Sequence, residues 1–368
     1  MNPDIPVRWR RGALAFVLVA LVNGCSKEGA PAARPSATPH PLADDMASGN
    51  ARPASQVAPD HVALARFKED LKQLGPTREV FARHLPALGA RPLLDVLEVA
   101  NPACHAEAHE LGRALMALRK DIGVALRECG TGCTSACMHG AVGEAFGGSD
   151  IPTITAQMDA FCKTGVMREL HPAGNCAHGI GHALMFAANR EVDTALKACL
   201  GFDQQGMRYY CATGVYMELL LNPKAPTYSR GSHEPCLAHP EVSSACYRYR
   251  ARTLVTELGG VEALKKSCLA QKGALRQGCF HGLGSVLLAS LTDDPSILGR
   301  YCSTEREVDR VLCVEGAMEK QADFNPGVAR SICARQTGEI RRACEASVEH
   351  GMYNVSKPTM ALYATEGR

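Results

Sequence analysis

The chain carries 17 cysteines in 368 residues, only 5% aromatic residues and a formal net charge of +2. Its hydrophobic fraction of 46% is enough to build a core, which argues against global disorder. Near-neutral charge excludes a broad basic footprint, so no nucleic-acid partner is expected. Past the first segment, no stretch approaches the roughly 20 apolar residues of a bilayer span.

Residues 1–24 read as a secretory signal peptide: Arg8, Arg10 and Arg11 precede an apolar run over 13–22 and a small-residue break. The end of this segment, Val22-Asn23-Gly24-Cys25, resembles the lipobox of bacterial lipoproteins. The resemblance implies that Cys25 is lipidated (a palmitate-bearing residue) and becomes the mature N-terminus, tying the chain to a membrane of the cell envelope. In that family Ser rather than Asp after the Cys goes with outer- rather than inner-membrane residence in the envelope, so Ser26 favours the outer membrane. Loss of residues 1–24 removes three Arg, one Asp and the only Trp, and leaves a neutral mature chain. Residues 25–59 then form the lipidated Cys and a disordered tether, rich in Pro, Ala and Ser. Helical periodicity over 66–74, 78–85 and 93–99, without any Cys, makes 60–100 a helical N-terminal cap.

From residue 101 to 356 the chain repeats in cysteines. Cys104, Cys137, Cys176, Cys211, Cys246, Cys279, Cys313 and Cys344 recur at about 34 residues, and Gly follows three residues after five of them. A second Cys (Cys162, Cys199, Cys236, Cys268, Cys302 or Cys333) precedes each of the last six by 9–13 intervening residues. Each unit reads as a short helix ending at the first Cys, a turn, and a longer helix carrying the second. The fold class is therefore all-α: disulfide-stapled helical-hairpin repeats, a solenoid or a closed α/α array. The period is similar to that of tetratricopeptide solenoids, and the similarity ends there. Gly within a helix costs roughly 1 kcal/mol against Ala, so its recurrence points to close approach of a neighbouring helix. Residues 357–368 read as a tail, and 222–235 as a longer loop suited to a lid or contact surface.

Export implies oxidation, so the cysteines are read as bridges. Spacing pairs Cys162–Cys176, Cys199–Cys211, Cys236–Cys246, Cys268–Cys279, Cys302–Cys313 and Cys333–Cys344. The same template gives Cys129–Cys137 and leaves Cys104–Cys133 as a long-range tie, although spacing alone does not decide among these four. The run Cys129-x3-Cys133-x3-Cys137 also has thiolate-ligand spacing, but Gly130 and Gly132 argue for a turn. No Cys-x-x-Cys-His exists for a c-type haem, and no phosphate loop or dinucleotide Gly pattern for a nucleotide.

Histidines crowd the repeating Cys. His105 and His109, and His178 and His182, are two His-x-x-x-His pairs; His139, His281 and His350 lie near Cys137, Cys279 and Cys344; Glu315 and Glu319 follow Cys313. Offsets of +2 and +6 from a repeat Cys share one helix face, so these side chains form a stripe. Imidazole and carboxylate converging on an inner face suit a divalent metal such as Zn, Cu or Fe. Met138, Met217, Met318 and Met352 near the repeat Cys keep copper in view. Glu144 and Glu218, each seven residues after a Cys, are candidate catalytic groups, with Glu169 and His171 secondary. Three functions fit: a membrane-tethered metal-binding protein, a scaffold for a periplasmic or surface protein, peptide or glycan with structural His, and a metal-dependent hydrolase or oxidase.

Overall fold

The computed structural model describes residues 60–101, 104–221 and 225–363. The signal segment, Cys25, the tether and part of the 222–235 loop lie outside the described residues. Among those described there are eighteen α-helices and no strand, and no helix is long and apolar enough to cross a membrane.

The first three helices are α1 (His61–Leu74), α2 (Arg78–Leu88) and α3 (Ala90–Ala100). Asp60 starts α1 by accepting from the amides of Val62 and Ala63, and Thr77 starts α2 by accepting from Val80. They bury Phe67, Phe81, Leu85, Leu93 and Leu94 against one another. The body then runs α4 (His105–Arg119), α5 (Ile122–Cys129), α6 (Gly132–Ala145), α7 (Ile151–Cys162), α8 (Gly165–Leu170) and α9 (Ala173–Ala187). It continues through α10 (Val192–Cys199), α11 (Gln205–Leu220), α12 (Ser243–Leu258), α13 (Val261–Ala270) and α14 (Gly273–Leu287). The last helices are α15 (Ser296–Cys302), α16 (Glu307–Phe324), α17 (Pro326–Ala334) and α18 (Gly338–His350).

Eight long helices (α4, α6, α9, α11, α12, α14, α16 and α18) form an inner row, each packed on the next. The short ones lie outside it. An inner helix has no solvated face of ordinary width: every residue from Gly174 to Met185 of α9 is buried. Such helices show little polar–apolar asymmetry, whereas the short outer helices bury one stripe only.

All sixteen cysteines of the described chain are bridged. The six spacing-derived pairs form, with Cα atoms 5.3–5.7 Å apart, and fasten the end of an outer element to an inner helix. Cys129–Cys137 does the same for α5 and α6, and Cys104–Cys133 ties the start of α4 to the start of α6 across 29 residues. Short closed loops of this kind stabilise by about 2–4 kcal/mol each.

Two sequence expectations need correction. Cys236 does not end a helix: it lies in a turn, because Pro226, Gly231 and Pro235 interrupt any helical run before it. Residues 357–363 are not a free tail. After α18 the chain doubles back as a strap, in which Lys357, Met360 and Tyr363 are buried. The strap is tied down along its length: the Gly174 amide donates to the Tyr353 carbonyl (3.1 Å), the Tyr353 amide to the Tyr210 hydroxyl (2.9 Å) and the Gln205 side chain to the Met360 carbonyl (2.8 Å).

The inner helices approach until backbones touch. A methyl group at Gly140 of α6 would lie 2.0 Å from the His109 carbonyl oxygen of α4, and one at Gly112 of α4 would lie 1.9 Å from the Cys137 carbonyl oxygen. The same reciprocal contact joins α9 to α11 through Gly181 and Gly214, and α14 to α16 through Gly284 and Gly316. Gly143, in the same helix as Gly140, has nothing within 4 Å of such a methyl. Gly140→Ala is therefore expected to destabilise by about 1–3 kcal/mol or more as α4 and α6 are pushed apart. Gly143→Ala is expected to be neutral or stabilising by up to about 1 kcal/mol. Chemical denaturation of the two variants side by side checks the pair; equal effects would remove the packing explanation.

Candidate metal centre

The close helix contacts bring three helices' histidines together. His105 and His109 come from α4, His139 from α6, and His178 and His182 from α9. Neighbouring ring centres are 4.6–5.7 Å apart. Two overlapping triads, His105/His139/His178 and His109/His139/His182, each place three ring nitrogens within 4.8 Å of one another. Except for His105, these side chains are buried.

The start of α6 is shaped for this assembly. Cys133, Thr134 and Ser135 have φ of 49°, 58° and 60°, three successive non-glycine residues in the left-handed region. Both N-terminal disulfides hold this turn, and the Cys133 amide donates to Glu98 (2.6 Å). The turn lays the Cys133 carbonyl and the Thr134 hydroxyl against Nδ1 of His105. His105 and His109 sit one residue earlier in register than the other ligands, and their Cys104 is bridged to this turn and not to an outer helix.

The partners of four of the five rings fix their tautomers. The Cys133 carbonyl only accepts, so His105 donates from Nδ1 and keeps its lone pair on Nε2. The Thr213 hydroxyl donates to the Tyr210 carbonyl (2.6 Å), so it accepts from Nδ1 of His178 (2.7 Å). Glu218 accepts from Nδ1 of His182 (2.8 Å). Asn175 accepts from Nε2 of His139, which leaves Nδ1 as the lone-pair atom. The result is that Nε2 of His178 and Nε2 of His182 face each other at 3.1 Å, both as acceptors. Nε2 of His105, Nε2 of His109 and Nδ1 of His139 are buried with no hydrogen-bond partner.

A proton is a poor occupant here. Burial, and then the charge of His182 and Lys320, hold His105 down to about 3. Burial followed by the neighbouring imidazoles holds His109, His139 and His178 well below the usual histidine range. Neutral imidazoles with one nitrogen anchored and the other lone pair aimed inward are the form in which His ligates a metal. Two nitrogens bound at about 2.0–2.1 Å to one ion lie at most about 4.2 Å apart, which the His178–His182 separation satisfies.

The centre opens on a cleft of about 920 Å³, whose lining includes His105 and His109. Glu144 also reaches it, but its carboxylate is held by the Arg78 guanidinium at 2.7 and 3.1 Å. Glu218 orients His182 and so is not free to act as a base. Glu169 is exposed, and His171, held at about 4 by burial, belongs to neither triad.

The rest of the predicted stripe forms a different group. His281 of α14 and Glu315 and Glu319 of α16 converge within 4.8 Å. Lys357 of the strap reaches Glu315 at 2.5 Å and Glu319 at 3.2 Å, Arg248 of α12 pairs with Glu319, and the Tyr363 hydroxyl donates to Glu315. Burial alone would raise the Glu315 carboxyl, but Lys357 and then His281 outweigh it and hold it below its ordinary range. The positive charge this trio could take from an ion is supplied by the chain itself. His350 ends α18 and joins none of the three groups.

Sequence reasoning passed over Arg248, Arg252, Thr213 and Asn175. The signal was present: Thr213 and Arg248 stand two residues after Cys211 and Cys246, and Arg252 six after Cys246, the register that marks the histidines. Removing Lys357 leaves two buried carboxylates short of charge, so Lys357→Met is expected to lose about 3–5 kcal/mol of stability by urea denaturation. Adding Glu315→Gln should recover part of it, because the two residues act on each other. Comparison with protein-family models, with curated proteins and with solved structures finds no match to this chain.

Proposed function

We propose that this is an exported, lipid-anchored metalloprotein in which His105, His109, His139, His178 and His182 hold one transition-metal ion at the floor of a cleft. One observation carries the reading: Nε2 of His178 and Nε2 of His182 meet at 3.1 Å as two acceptors, with three further buried ring nitrogens lacking partners beside them. An unpaired buried acceptor costs about 1–3 kcal/mol, a cost that a cation shared among these ring nitrogens would relieve. The donors are all imidazole, because every Cys among the described residues is bridged, and this set suits Zn, Cu or Fe rather than Mg or Ca. When bound, the ion would supply a Lewis-acidic or redox centre within reach of a ligand entering the cleft. That access favours a working centre over a merely structural ion, and over a binding scaffold with structural His.

Export is supported from a second direction. Eight bridges are characteristic of a chain that matures in an oxidising compartment, which agrees with residues 1–24 read as a signal and with Cys25 as a lipid anchor.

Elemental analysis of chain purified without chelator is expected to give about one equivalent of metal. Stripping it should lower the melting temperature by several degrees, since a ligand at about 100 times its dissociation constant stabilises by about 2.7 kcal/mol. His178→Ala with His182→Ala should abolish stoichiometric binding. No stoichiometric metal, together with a melting temperature indifferent to chelator, would falsify the proposal. Cys25→Ala is expected to move the chain from the membrane pellet to the soluble envelope fraction; unchanged pelleting would remove the anchor.

A further inference from the structure

We propose that the cleft over the histidines binds a small organic oxyanion, carrying carboxylate or phosphate, held by Arg252 of α12 and Lys320 of α16. The placement of that anion against an ion rests on the metal reading above; the arrangement of cations does not.

Five cationic side chains line the cleft (Arg113, Arg190, Arg248, Arg252 and Lys320) against three carboxylates, Glu110, Glu144 and Glu218. Each carboxylate is already engaged: Glu110 by Arg113, Glu144 by Arg78, and Glu218 by His182. Arg248 is engaged by Glu319. Arg252 and Lys320 are left without a carboxylate within 4.0 Å among the described residues, and Arg190 has only the Phe186 ring beneath it.

These unpaired cations bear on the metal centre. Lys320 and Arg252 line the same cleft as His105, so an anion held between them would lie beside the histidine cluster. They also act on each other: burial, then Arg248 and Arg252, pull the Lys320 ammonium well below the usual lysine range. Like charges gathered in a concave, partly desolvated site are unfavourable until an anion joins them, and such a cleft focuses their field on an entering ligand. A guanidinium beside an ammonium is a suitable donor set for carboxylate or phosphate oxygens. The cleft volume of about 920 Å³ falls within the range of small-molecule sites and is too small for a folded partner. Met217, Leu221 and Leu288 supply apolar wall for the body of an organic ligand.

The register explains how the fold came to hold both donor sets. Arg248 and Arg252 occupy in α12 the same two positions that His178 and His182 occupy in α9, two and six residues after the repeat Cys. One stripe thus presents metal ligands on one side of the cleft and anion donors on the other.

The test is calorimetric titration of the purified full chain with inorganic phosphate and, separately, with malonate, with metal content measured on the same samples. Saturable binding is expected, weakened about tenfold or more in each of Arg252→Gln and Lys320→Gln. It should be unchanged in Lys197→Gln on the outer surface, with equal metal content throughout. Arg252 is exposed and Lys320 half-buried, so neither change opens the core, and circular dichroism verifies folding. Tighter phosphate assigns a phosphoryl ligand, and tighter malonate a carboxylate. Absence of saturable binding of both probes, or binding in both variants as tight as in the unaltered chain, overturns the proposal. A chain that lacks metal but binds either probe through Arg252 and Lys320 upholds the anion site and sinks the metal reading instead.

Discussion

Backbone-to-backbone contact between neighbouring inner helices is the constraint from which the rest follows. With a side chain at Gly112 or Gly140, α4 and α6 would be forced apart by the distance needed to clear a carbonyl. The residues at those contacts are informative: in each reciprocal pair one carbonyl approached belongs to a repeat Cys (Cys137, Cys211 or Cys313) and the other to a buried His (His109, His178 or His281). The glycines and histidines are thus two halves of one device. The first lets helices close, and the second uses the space so closed. The disulfides serve the same end from outside, fixing each short element at the level of the contact it supports.

Much of this fold was legible because cysteines report both periodicity and pairing. A Cys spacing of 9–13 residues leaves room for one turn between antiparallel elements, and helical period on either side supplies the direction. The five-histidine centre was legible as a set of candidates: His139, His178 and His182 share offsets from their repeat Cys, and His105 and His109 form a second i, i+4 pair beside Cys104. What the offset does not contain is which members meet. His281, Glu315 and Glu319 carry the same register as the histidines of α6 and α9, yet they face Lys357 and Arg248. Lys357 comes from a segment with no Cys, no apolar period and two interrupting residues, Gly351 and Pro358. Its burial is decided by contacts with α9, α11 and α16, which are distant in sequence, so local pattern cannot reveal it. The Cys236 unit shows the reverse case: the cysteine period continued through a stretch whose prolines forbid the helix.

The strap gives the array its asymmetry. It fills the inner face beside α14 and α16 with Lys357, Met360 and Tyr363, while Met352 and Tyr353 border the cleft on the histidine side. One half of the inner stripe is thereby closed into an ion-paired core, and the other half keeps an opening. Duplicated units with a common register have been put to two uses by what packs against them, with no change in the underlying helix geometry.

The crossing of the first two bridges has a consequence for how the chain matures. Twelve of the sixteen bridged cysteines pair with their immediate neighbour in the chain, so an oxidase joining thiols in their order of emergence makes those six bonds correctly. Applied to the first four, the same vectorial rule gives Cys104 with Cys129 and Cys133 with Cys137. The folded chain has Cys104 with Cys133 and Cys129 with Cys137. Three thiol–disulfide exchanges therefore separate the sequentially oxidised chain from the native one: an outside thiolate opens Cys104–Cys129 and stays on Cys104, the freed Cys129 takes Cys137 from Cys133, and Cys133 displaces the outside thiolate from Cys104, all at the left-handed turn beside His105. Assembly of the histidine centre is thus tied to a thiol catalyst able to reshuffle these two bonds.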